Sequence, residues 1–344
     1  MGKKRVTIYD IAAELGFTAS YVSRALNGYP SVSPAIVALV KKKATELNYK
    51  HNSSAANLRQ GHSKTIGVIV PHINQSFFSD AIAGIEEICF EHGHSLVICQ
   101  SHESQKQENL AIETLIRQNV DCIFISVSIE TQSTTNLEEI TNNDIGLIQF
   151  DRYLDPLKSN IVINDNRQAS FDAVKRMLND GYKRIAFLGG PHHMKIFNDR
   201  KEGYIEAIKQ AGLTLPDNFT VTNVLGKEAA MQMSRELLTA AEPPDAFFTV
   251  SDHQSLGVLL AAKSLSVNVP ENLGIIGFAN ESFTELISPA LSSIDQHGKE
   301  LGRTTASLYF TKMINNTNAS LLPEPVIVKS DLIVRESSAK INSL

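Results

Sequence analysis

The sequence predicts a small all-α head followed by an α/β body whose parallel sheets fall into two lobes, and three observations carry that prediction. Residues 7–47 break into three capped, amphipathic helical runs. Beyond Ser63, short apolar runs alternate with helical stretches, the pattern of parallel sheets covered on both faces. Charge divides at the same place: the first 64 residues carry ten Lys/Arg against three Asp/Glu, or +7, while the whole chain is −5, leaving −12 for the rest. A basic head on an acidic body suits a module that meets phosphate only at its own contact face.

The head is read in chain order. Thr7 with Asp10 is the Asp form of a capping box and starts the first helix. Ile8, Ile11, Ala12 and Leu15 form one apolar stripe, and Gly16 is placed to end the helix in the left-handed conformation. Thr18 is a second N-cap. Val22, Ala25 and Leu26 then face inward, which leaves Ala19, Ser20, Tyr21 and Arg24 outward before Asn27-Gly28 stops the second helix. Ser33-Pro34 supplies the third start, with Ile36, Val40, Ala44 and Leu47 as the buried stripe. Each of the first two helices spans about two turns, short of the roughly 12–15 residues an isolated helix needs. They must share a core, and two short helices around a Gly turn, buttressed by a third, make a helix-turn-helix unit.

In the body, strands are expected at "TIGVIV" (65–70), "SLVICQ" (95–100), "CIFISV" (122–127), "IGLIQFD" (145–151), "RIAFLGG" (184–190), "AFFTVSD" (246–252) and "LGIIGFA" (273–279). Helical stretches such as 78–92 and 199–211 separate them. Ligands of such sheets sit beyond the carboxyl ends of the strands, and polar residues gather there: Asp151-Arg152, Asp252 and Asn280.

Several classes are excluded or disfavoured. No apolar run of about 18 residues spans a bilayer, and the basic start MGKKRVTIYD lacks the apolar core of a secretion signal, so no membrane partner is expected and the location is expected to be cytoplasmic. Cys89, Cys99 and Cys122 are odd in number and form no CxxC, which suggests neither a disulfide framework nor a zinc ribbon. His92, His94 and His102 around Cys99 match no zinc spacing. No GxGxxG follows a strand and no P-loop occurs, so no nucleotide cofactor is expected, and no hydrolase or paired-carboxylate motif marks a catalytic site.

The stretch "TIYDIAAELGFTASYVSRALNG" followed by "VSPAIVALVKKKATELNYKHNSSAANLRQG" resembles the DNA-binding head of the LacI/GalR family of bacterial transcription regulators, and the likeness continues through the body in family order. The resemblance implies a periplasmic-binding-protein-like body and four segments. These are a DNA-binding domain over 1–50, a hinge helix over 51–63, a first lobe over 64–164 and 295–325, and a second lobe over 165–294 and 326–344. The expected partners are double-stranded DNA with a palindromic operator, a small sugar-like effector, and a second copy in a homodimer; no cofactor is implied. Thr7, Thr18, Ala19, Ser20, Tyr21, Ser23, Arg24 and Asn27 are the expected DNA contacts, with Arg24 able to bond guanine through both arms of its fork. In the hinge, Asn52 and Leu58 are expected contacts, Leu58 as a minor-groove wedge. His51 and Ala56 depart from the family's usual proline and arginine there.

For the effector, the resemblance implies Arg200 and Asp252 as the main contacts, with Phe78, Asp151, Asn164, Leu225 and Gln296 around them. A carboxylate, a guanidinium fork and a phenyl face together suit a sugar. Met194 and Ile196 stand where some relatives use a second arginine, which disfavours an anionic effector, although Lys195, His192 and His193 lie close by. The functional expectation is a DNA-binding transcription regulator, a repressor controlled by a small molecule between the lobes. A sugar-modifying enzyme with an accessory DNA-binding head is the alternative.

Overall fold

The computed structural model describes residues 6–49, 62–155, 157, 159–214, 216–313 and 324–340. The chain divides into two compact units, Met1–Ser63 and Lys64–Leu344. His51, Asn52, Ala56 and Leu58 of the expected hinge lie outside the described residues.

The head holds three helices, Ile8–Leu15 (α1), Ala19–Leu26 (α2) and Pro34–Glu46 (α3). The Asp10 carboxylate accepts from both the Thr7 N–H and the Thr7 hydroxyl at 2.7 Å, which fixes the entry to α1. Gly16 closes α1 at φ +66°, a conformation a side chain would strain. The Thr18 hydroxyl accepts the Tyr21 N–H at 3.3 Å and caps α2. Ile11, Val22, Ala25 and Val40 are completely buried in one cluster, with Ala12, Val32 and Ala44 around them. At about 2 kcal/mol for each large side chain, this shared burial is what two-turn helices lack alone.

The body carries eight further α-helices and two six-stranded sheets among the described residues. The first lobe contains Thr65–Val70 (β1), Ser95–Gln100 (β2), Cys122–Ile125 (β3), Gly146–Phe150 (β4) and Asn160–Asn164 (β5). Its helices are Ser76–Glu91 (α4), Gln105–Arg117 (α5) and Thr135–Asn142 (α6). The second lobe contains Ile185–Leu188 (β6), Thr220–Val221 (β7), Ala246–Thr249 (β8), Gly274–Phe278 (β9) and Ser292–Asp295 (β10). Asn166–Asn179 (α7), Lys195–Gln210 (α8), Gly226–Leu238 (α9) and Asp252–Ser264 (α10) cover it. The chain then returns through Gly298–Leu308 (α11), Val326–Val328 (β11) and Asp331–Ile333 (β12).

The first sheet has the order β11-β5-β4-β3-β1-β2 and is parallel throughout. The second has the order β12-β10-β9-β8-β6-β7, parallel except where β12 runs against β10. Apolar clusters fill both faces of each sheet, as continuous apolar strands require. Helices α4 and α11 cross closely because Gly84 and Gly302 have no side chain: a Cβ on either would strike the backbone of the other helix.

One domain boundary needs correction. The return to the second lobe was expected near 325, but β11 pairs parallel to β5 and its Val328 packs into the core of the first lobe. The crossing therefore falls after Val328, and only β12 onward joins the second sheet. The other crossings lie at 164–166, between β5 and α7, and at 295–298, between β10 and α11.

Candidate functional site

The head presents α2 as its candidate reading helix. Ser20 and Arg24 are exposed, and Tyr21 and Ser23 are half-buried. The Arg24 guanidinium lies 5.7 Å from the Tyr21 ring centre, and Tyr21 is in turn held edge-on to Phe17. This stack pre-orients a long side chain that would otherwise sample many rotamers. Two expectations change. Ala19, read as outward, is half-buried against the head's core, since it lies over the turn that joins α1 to α2. Asn27 folds back and donates to the Ser23 carbonyl at 2.8 Å, so its amide serves the end of α2. Thr7 and Thr18 spend their hydroxyls on Asp10 and on the α2 cap.

The body encloses a cleft of about 550 Å³ lined by both lobes. The carboxyl ends of the strands supply its polar groups, as doubly wound sheets require. Several residues at these strand ends sit in the left-handed region although they are not glycine: Glu103 at φ +60°, Asp151 at +58° and Ala279 at +113°. Such strained positions turn the chain sharply off a strand and aim the next side chains into the cleft.

Arg200, on α8, is almost completely buried. Its Nε donates to Asn166 Oδ1 at 2.9 Å, and Nη1 donates to the Val250 carbonyl at 2.8 Å. The guanidinium lies 3.5 Å from the centre of the Phe278 ring. Burial pushes its pKa down to about 9, opposed by Asp151, so it keeps its charge near neutral pH. No described residue accepts from Nη2. A fixed, half-committed fork on an aromatic floor can hold a ligand oxygen.

Asp252 lines the cleft at the first turn of α10, yet both carboxylate oxygens are already engaged. Oδ1 accepts from the Ser293 hydroxyl at 2.6 Å and Oδ2 from the Glu281 N–H at 2.8 Å. Gly277 makes room for it, because a Cβ there would meet Asp252 Oδ1. The side chain is fully buried, and burial raises its pKa to about 7 against those two hydrogen bonds. Asp252 thus ties α10 to β9 and β10 from the lining of the cleft, with one acceptor site of each oxygen taken up by the scaffold.

Phe78, Asp151, Leu225 and Gln296 all line the cleft. Asp151 accepts from the Ser126 hydroxyl at 3.0 Å and lies 3.9 Å from the Arg152 Nε. Burial pushes its pKa upward, with Arg152 and Arg200 pulling the other way. Leu225 caps α9 and stays about half exposed. Asn164 does not line the cleft: its amide donates to the carbonyls of Gln296 and Val328, so it pins the three crossings together from behind. Asn280 is likewise spent, on Asp295 and Arg335.

Arg152 stands at a strand end that the sequence marks as polar, whereas its partner Glu103 and the cleft residue Glu281 had no signal in the spacing. Arg152 donates to both oxygens of Glu103 at 2.8 Å, a pair built from two strand ends 49 residues apart. Glu281 reaches across the cleft to α4. Met194 and Ile196 are buried against the first lobe's core, and His193 bonds the Ile129 carbonyl at 2.7 Å, so the 191–197 loop seals one seam between the lobes. Lys195 is paired with Asp199 at 2.8 Å. Away from the cleft, His92 stacks on Phe310 and His94 lies 3.5 Å from Asp121. Among the described residues no group of three or more His, Cys, Asp or Glu could hold a metal ion, and no helix is long and apolar enough to cross a membrane.

A helix-turn-helix head on a two-lobed α/β body with a polar cleft defines the class of DNA-binding transcription regulators. Residues 7–52 match the model for bacterial regulatory proteins of the lacI family, and residues 174–338 match that for a periplasmic binding protein-like domain. The chain is 32% identical over 307 residues to the HTH-type transcriptional repressor CytR of Escherichia coli K12, covering 89% of both chains. It belongs to the lacI family. A transcriptional regulator CelR solved with cellobiose superposes over 97% of this chain and all of that one, with TM-score 0.72 and 25% identity. The lac repressor dimer bound to operator and the anti-inducer ONPF shares the fold over 98% of this chain and all of that one, with TM-score 0.82 at 20% identity.

Proposed function

We propose that this regulator is a cytoplasmic homodimeric repressor that acts by binding, without turnover, and whose affinity for a palindromic operator is set by a sugar-like effector between its lobes. Arg200 carries this reading: a buried, charged fork with an uncommitted nitrogen, seated on Phe278 in a cleft that both lobes line. A guanidinium donates to sugar oxygens while aromatic faces cover the apolar C–H side of a ring. The similar CelR regulator, solved with cellobiose, supports a sugar-sized occupant, and 550 Å³ is ample for one. In the head, Ser20, Tyr21, Ser23 and Arg24 would contact DNA directly, Ala19 offering at most its methyl group, while Thr7, Thr18 and Asn27 would hold the reading helix in shape. Asn52 and Leu58 complete the proposed contacts. Two recognition helices related by a two-fold would read two half-sites.

The test is a selection of bound duplexes from a random pool, followed by binding titrations with a panel of neutral sugars. A palindromic consensus whose affinity changes with one of the sugars supports the reading. A non-palindromic consensus, or chemical conversion of a sugar by the protein, counts against it.

A further inference from the structure

Across the cleft from Arg200, one contact joins the lobes through the chain's own charge. Ala279 and Asn280 both lie at positive φ, +113° and +52°, and turn the chain off β9 so that Glu281 faces the first lobe. Its Oε2 accepts the Ser76 N–H at 2.9 Å, at the amino end of the 16-residue helix α4. There the unpaired N–H groups and the helix dipole favour negative charge. The neighbouring Ser282 N–H donates to the Ser76 hydroxyl at 3.3 Å, so two consecutive residues of one lobe grip one residue of the other. Glu281 is only 6% exposed, lines the cleft and sits beside Asp252 through its own N–H.

The cations of the cleft each have a carboxylate of the chain nearby, although Arg200 keeps one nitrogen uncommitted. Arg152 is held by Glu103, Lys227 lies 3.1 Å from Glu228, and Arg200 has Asp151 among its electrostatic neighbours. Besides Asp252, whose carboxyl pKa burial holds up at about 7, four carboxylates face three cations across the space. An added anion would meet that excess and would find the amino end of α4 already occupied.

We propose that Glu281 is a specificity-determining residue: by carrying its carboxylate across the cleft to Ser76 it completes closure with the chain's own anion and selects an uncharged effector over a phosphorylated or carboxylated one. The proposal rests on the cleft being the effector site. Wild type, Glu281→Ala and Glu281→Gln are compared by thermal melts at constant ionic strength, with inorganic phosphate and with matched pairs of neutral sugars and their phosphate esters. In the wild type the parent sugar should bind about tenfold or more tighter than its ester, as expected when one charge-assisted contact must be given up. Inorganic phosphate should stabilise Glu281→Ala beyond its effect on the wild type, because an anion takes the vacated place. Glu281→Gln keeps the shape and one acceptor oxygen, and it should narrow the gap between sugar and ester even if the alanine variant folds poorly.

Ester binding to the wild type as tight as its parent sugar overturns the proposal and leaves the cleft as effector site standing. Equal stabilisation of wild type and Glu281→Ala by phosphate overturns it too. If no sugar or ester shifts the wild type, the cleft reading fails, while the phosphate comparison still decides the part played by Glu281.

Discussion

The reading helix and the cleft solve opposite problems with the same kinds of side chain. On α2, Arg24 is exposed and steadied only by the Tyr21 ring, so replacing it disturbs little except what it touches outside the molecule. In the cleft, Arg200 is buried, bonded to two elements and stacked on a third, so replacing it disturbs cleft, lobe and core together. A surface cation is a replaceable reader. A buried one is part of the architecture, because its desolvation must be offset by partners wherever the ligand is absent.

The contrast can be broken from its heavy end first. Arg200→Ala leaves the Asn166 amide oxygen and the Val250 carbonyl without their donor, and about 2–4 kcal/mol of body stability should go with it. It should also abolish any effect of a cleft ligand on operator binding, read by denaturant melts and DNA titrations side by side. Next comes Arg24→Ala, expected to cost about 1–3 kcal/mol of specific operator affinity with no change in the melt of the body. Equal losses in both assays for either arginine would erase the distinction. Thr18→Ala, which removes the α2 cap, should cost about 1 kcal/mol of head stability and weaken operator binding only through that loss.

Asp252 sharpens the comparison through pH. Its carboxyl titrates at about 7 in the folded chain, up from an ordinary 3.8, so the native state holds a proton that the unfolded chain releases. That contribution is fully present below pH about 4 and is lost as pH rises through about 7. Asp252→Asn should flatten this part of the stability profile and gain on the wild type as pH rises. A wild-type profile with no fall across that window would show that the joint is not built as described.

Much of this was legible in the sequence, and the misses have physical causes. The caps at Thr7 and Thr18, the stop at Gly16 and the seven apolar strand runs follow from local rules that tertiary packing did not override. Strands β5, β10 and β12 went unread because they mix apolar with Asn, Ser or Asp, and β7 and β11 are only two and three residues long. Arg200 was legible only through the family resemblance, and its burial was not; Asp252 and Asn164, at a strand end and a crossing, turn their polar atoms into the scaffold. Position along a strand says that a side chain is near the cleft; only the partners it finds say which way it faces. The Glu103–Arg152 pair and the reach of Glu281 depend on left-handed turns at Glu103, Asp151, Ala279 and Asn280, none of them a glycine that would mark the turn in the sequence.

The most direct test of the whole account is a titration of operator DNA against wild type and Arg200→Ala, with and without a neutral sugar that a thermal-shift screen shows to bind the wild type. The sugar should change the operator affinity of the wild type and leave that of Arg200→Ala unmoved. The same change in both proteins, or none in the wild type despite binding in the cleft, would contradict the account.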